Sequence, residues 1–159
     1  MCRLVIVLLS VALAPGMARG QEPRTPEPPT PHISPALGVH YGSPMRISLA
    51  GGALVDMSEH RNDGVVVMAE AGQQGNEISA GYFRMLGRFG SGYSMRLAAL
   101  RTVGEPWNAS PNTTYVGAEA SWMVAFGVGG RVGLLRRASK TSGLEPHDYL
   151  ASVGILIGL

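Results

Sequence analysis

Cysteine is almost absent from this chain of 159 residues, which has only Cys2. One thiol excludes an internal disulfide and any cysteine-built metal site. Lysine is as rare, with Lys140 alone, and charged residues make up 15% of the chain. Water-facing protein surface normally carries about 25–35% charged side chains, so a soluble barrel coated by this sequence would be underdressed. No segment has a convincing helical period. The only long apolar stretch, Leu4 to Ala14, is shorter than the roughly twenty residues that a membrane-spanning helix needs.

That stretch has another use. A short basic start at Met1 to Arg3, the apolar run, and Ala18-Arg19-Gly20 as a small-x-small site together predict a signal peptide over 1–20, with Gln21 as the first mature residue. Cys2 precedes the apolar run, is badly placed for lipid attachment, and leaves with the leader. Of the 13 basic residues, Arg3 and Arg19 leave as well, and the 11 that remain equal the 11 acidic ones. A neutral mature chain gives no case for nucleic-acid binding. Residues 21–35 follow as a proline-rich tail, poor in both helix and sheet potential and expected to be extended and disordered in the periplasm.

What is present, from about Ala36 onward, is alternation. Tyr149, Ala151, Val153, Ile155, Ile157 and Leu159 share one face of a terminal strand, and Leu150, Ser152, Gly154, Leu156 and Gly158 share the other. The same period of two sets Met45, Ile47 and Leu49 against Arg46, Ser48 and Ala50. It sets Val65 and Val67 against Val66, Met68 and Glu70, and Ile78, Ala80 and Tyr82 against Glu77, Ser79, Gly81 and Phe83. Tyr93, Met95 and Leu97 alternate with Ser94, Arg96 and Ala98, and Val116, Ala118 and Trp122 with Tyr115, Gly117 and Glu119. A weaker strand spans Phe126 to Arg137. Turn-rich pieces separate these seven segments, and Ala36 to Gly42 supplies an eighth if both ends of a closed barrel lie on one side. The loops 104–112 and 138–147 then lie at the opposite, outer end.

One face is rich in large apolar residues and the other in Gly, Ala and Ser with single charges. Too few charges exist for the second face to meet water, so it is expected to point inward, where small side chains let the wall close. Arg46, Glu70, Arg96, Glu119 and Arg131 would then share the lumen as a network of paired charges, because an isolated buried charge costs several kcal/mol. Arginine suits this, since its planar fork reaches more than one carboxylate. A plug is favoured over a binding site or gate. Tyr41, Tyr82, Tyr93, Trp122, Phe126 and Tyr149 fall near strand ends, as an aromatic girdle would. Trp107 lies in a loop and is expected to fold on its own neighbours.

This pattern resembles the small bacterial outer-membrane β-barrels of eight strands, over roughly Ala36 to Leu159. The resemblance implies an all-β, closed antiparallel up-and-down transmembrane barrel in the bacterial outer membrane, with a structural or surface-interaction role. Its partners would be outer-membrane lipid and the barrel-insertion machinery, which would recognise Tyr149, Val153, Ile155, Ile157 and Leu159 of the last strand. Family members usually end in an aromatic residue, and this chain departs from them at Leu159. A monomer is expected, with no nucleic-acid partner.

Two other readings stand beside this one. A secreted or periplasmic lipocalin-like barrel would bind an apolar ligand inside. A lipid-modifying outer-membrane enzyme would need a serine and histidine at the rim, for which Ser58, His60 and the pair His147-Asp148 are the available residues, but no Gly-x-Ser-x-Gly turn occurs. The histidines, His32, His40, His60 and His147, read as solvated loop residues without metal-ligand spacing. Neither catalysis nor a cofactor or metal is expected.

Overall fold

The structure, a computed structural model, describes residues 31–57, 62–87, 90–138 and 148–158. The expected leader and most of the expected tail lie outside these residues, as do Ser58, His60, His147 and Leu159. The strands are β1 (His32–Ser43), β2 (Arg46–Asp56), β3 (Asp63–Gly72), β4 (Gly75–Met85), β5 (Gly92–Thr102), β6 (Thr114–Ala125), β7 (Val128–Arg137) and β8 (Tyr149–Gly158). Each pairs antiparallel with the next, and β1 pairs with β8 to close the barrel. An even count returns the chain to its starting side, so His32 and Gly158 lie at one end, here the terminus end. The connection 103–113, the end of β7 at Arg137 and the start of β8 at Tyr149 lie at the other, the loop end.

Closure removes every free edge, and the period of two then sorts side chains between outside and lumen. Leu37, Leu49, Ile78, Leu97, Leu134 and Ile155 all point outward and are exposed, Leu97 most of them at 73%. The lumen is filled in layers. At the loop end Met45, Leu100, Tyr115, Leu135 and Leu150 form a small apolar core, with Ala109 packed against it. Charged and polar residues occupy the middle, and Ala36, Val66 and Phe83 are buried toward the terminus end.

The connection 103–113 is a cap over the loop end and not a free loop. Trp107 donates its backbone N–H to the Pro44 carbonyl, Val103 donates to Gln74, and Ser110 donates to the Tyr115 hydroxyl. Thr102 and Thr113 tie the two stems together.

Four expectations need correction. The first strand begins at His32, four residues earlier than Ala36. That early part pairs with β2, while pairing with β8 starts only at Gly38. Pro35 therefore lies where one side of the strand needs no ladder bond, a position proline tolerates. Met45 is fully buried in the lumen and does not continue the outer stripe, because Arg46 has a φ of 63° and reverses the alternation at the start of β2. Phe126 is not in a strand: with Gly127 it forms a two-residue turn in which both φ angles are positive, 52° and 74°, as primed hairpin turns require. Trp107 packs edge-on against Tyr41 and over the Arg46 guanidinium, 5.3 Å from ring to cation, and not on its own neighbours.

Candidate functional site in the barrel lumen

All eight strands send polar side chains into the middle of the barrel. β1 contributes His40, β2 Ser48, β3 Glu70, β4 Glu77, β5 Arg96, β6 Glu119, β7 Arg131 and β8 Ser152, and all of these are buried. Arg131 is the hub. Its Nη1 lies 2.6 Å from Glu70 Oε2, 3.4 Å from Glu77 Oε1 and 3.5 Å from Glu119 Oε2, and its Nη2 reaches Glu70 Oε1 at 3.4 Å. One planar guanidinium thus spans the lumen and meets carboxylates from three strands. Arg96 supplies the second cation, 3.6 Å from Glu119 on the neighbouring strand, its direct cross-strand partner.

His40 completes the cluster. Its Nδ1 lies 3.1 Å from Glu70 Oε1 and 3.0 Å from Arg131 Nη2. One ring nitrogen serves only one of these at a time: it donates to Glu70 or accepts from Arg131, according to the tautomer. Ser48 donates its hydroxyl to Glu70 as well. Three carboxylates thus face two guanidiniums and one imidazole.

Close packing around the cluster depends on missing side chains. A Cβ at Gly154 would lie 2.0 Å from His40 Nε2 and 2.7 Å from the Tyr41 carbonyl oxygen, and one at Gly133 would lie 2.7 Å from Glu119 Cγ. Gly154→Ala is expected to cost about 1–3 kcal/mol, as overpacking of a filled interior does. Outward-facing Gly51, where a Cβ would have its nearest neighbour at 3.6 Å, is the control. Gly51→Ala should leave stability within about 0.5 kcal/mol. Urea unfolding of both variants, followed by gel migration or tryptophan fluorescence, reads the difference, and equal effects would refute this account of Gly154.

Of the five charges expected together, the structure joins Glu70, Arg96, Glu119 and Arg131. Arg46 is elsewhere, at the loop-end rim under Trp107, because its positive φ carries it out of the inward row. Glu77 and His40 belong to the cluster and were not among the expected five, and His40, expected as a solvated loop residue, is instead fully buried on β1. Glu77 had a visible signal, since it shares a face with Ser79, Gly81 and Phe83. The signal for His40 was its place between Gly38 and Gly42 on the small-residue side of β1.

The six aromatics divide between the ends. Tyr41 and Tyr149 lie at the loop end, and Tyr82, Tyr93, Trp122 and Phe126 at the terminus end, all pointing outward and exposed. In β8, Tyr149, Val153, Ile155 and Ile157 are also exposed, while Leu150 and Ser152 are buried. Comparison with known protein families, curated proteins and solved structures finds no match for this chain.

Proposed function

We propose that the protein is an integral barrel of the bacterial outer membrane, a monomer with a structural or surface-interaction role and a lumen sealed by its own charges. One observation carries this reading: the apolar residues are outside and the charges within. Val67, Val116 and Ile155 are 50%, 44% and 55% exposed, whereas Arg96 and Glu119 are 8% and 2% exposed. A monomer in water rarely leaves more than a few hundred Å² of contiguous apolar surface uncovered. Here the apolar wall runs round the barrel, which suits hydrocarbon as its solvent.

The dimensions agree. A strand of about 11 residues is about 37 Å long and, tilted by about 40°, rises about 28 Å, close to the roughly 25 Å apolar band of such barrels. Exposed aromatics at both rims match the two boundaries between hydrocarbon and headgroups. The terminus end would face the periplasm, and the capped end the exterior, where the connection 103–113 offers a folded surface to partners. The apolar residues of β8 would be read by the insertion machinery.

The filled lumen favours a plug over a carrier. Below the charge cluster a cavity of about 50 Å³ remains, far smaller than the roughly 300 Å³ at which ligand pockets begin. Fractionation of the expressed protein is expected to place it with outer membranes, with extraction only by detergent and a gel migration that shifts on heating. Recovery as a monomer in detergent-free buffer would overturn the reading.

A further inference from the structure

The outer surface holds a cationic pair directly above an apolar groove. Arg101 on β5 and Arg136 on β7 are exposed and project outward at the loop end, two residues beyond Ala99 and Leu134 of the apolar wall. Across the intervening β6, Arg101 faces Thr114 and Arg136 faces Val116. Two strand spacings and a two-residue offset set their Cα atoms roughly 12 Å apart, within reach of one phosphate group for two long side chains. Neither forms an ion pair or hydrogen bond among the described residues. Among the described residues, the exposed acids at this end, Glu105 and Asp148, lie in the connections beyond the strands. The terminus end differs, because its outward cation, Arg84, stands directly opposite Asp63.

Below Arg101 the wall recedes into an open groove of about 1100 Å³ across β2 to β6, with Val67, Ile78, Leu97 and Val116 as its ridges. Its lining is almost wholly apolar, and two of its residues adjoin the pair: Ala99 lies two positions before Arg101, and Val116 stands directly opposite Arg136. From this charge complementarity we infer that the groove seats one phospholipid of net negative charge, its phosphate between Arg101 and Arg136 and an acyl chain along the ridges. The inference rests on the membrane reading above. Arginine forks bind phosphate oxygens in pairs, and two basic residues near an anionic lipid surface each contribute about 1 kcal/mol.

The test uses the full chain folded in phosphatidylcholine vesicles and then exchanged into neutral detergent with equal amounts of phosphatidylcholine and phosphatidylglycerol. Native mass spectrometry should show phosphatidylglycerol retained roughly tenfold to thirtyfold over phosphatidylcholine. Arg101→Gln with Arg136→Gln should bring the two lipids to parity, and Ala99→Phe, which fills the groove, should lower retention with both arginines intact. Arg84→Gln on the opposite rim should leave the preference unchanged. Absence of any preference in the unaltered protein, or an equal loss in Arg84→Gln, overturns the site. Heat-modifiable migration in phosphatidylcholine alone keeps the two readings apart. A barrel that inserts there without lipid preference removes only this site, and one that never inserts removes the membrane reading and the site with it.

Discussion

Replacing Arg131 by methionine should destabilise the barrel by about 3–5 kcal/mol, the largest effect expected of any single lumen substitution. Methionine matches the stem in length and apolar character, so the loss is chiefly that of the guanidinium. Arg131 is 2% exposed and meets Glu70, Glu77 and Glu119, which are themselves 6%, 3% and 2% exposed. Without it three carboxylates share the lumen with the His40 imidazole and with Arg96, whose ion pair among the described residues is with Glu119. The desolvation of these groups has already been incurred by folding, and the attraction that offset it is gone. Urea unfolding in phosphatidylcholine vesicles measures the difference.

The same charge count gives the prediction a sign test. Arg131→Lys keeps the charge but replaces a fork by a single point, so it should recover part of the loss and not all of it. Adding Glu70→Gln to Arg131→Met removes the carboxylate with the shortest contact to the lost cation, and the double variant should be more stable than Arg131→Met alone. A double variant no better than the single one would mean that Arg131 acts through packing and not through charge.

Alternation made the outer wall legible because it is a local signal. Leu37, Leu49, Val67, Ile78, Leu97, Val116, Val132 and Ile155 could each be assigned to a face from the two residues beside it. The charge cluster was legible to the extent that its members sit inside regular strands, as Glu70, Arg96, Glu119 and Arg131 do. Arg46 was misplaced because its positive φ turns it and the adjacent Met45 out of the regular alternation, and an arginine gives no local notice of that conformation. His32 to Pro35 were hidden by proline, which argues against a strand unless the missing partner strand is known. The cap at 103–113 was invisible for another reason. Its bonds to Pro44 and Gln74 join residues far apart in the chain, and no period marks them.

Leu97→Arg is the substitution that best separates a lipid-facing wall from a water-facing one, because its two expected outcomes differ by several kcal/mol. Leu97 is the central outward residue of β5, with Tyr93 and Met95 on one side along the strand and Ala99 and Arg101 on the other. At 73% exposure its side chain touches little of the protein, so replacing it disturbs no packed interior. In water such a change should move stability by no more than about 0.5 kcal/mol. In a bilayer the guanidinium would sit near the hydrocarbon midplane, where an arginine on a barrel exterior costs about 2–4 kcal/mol. The cost should also depend on depth. The same substitution at Met95, nearer the terminus-end rim, should cost less, since a long side chain there can reach the boundary with the headgroups. Unfolding free energies of the two variants in phosphatidylcholine vesicles would therefore fall in the order set by distance from the rims. Equal and negligible costs at both positions would mean that hydrocarbon does not surround this wall, whatever its composition.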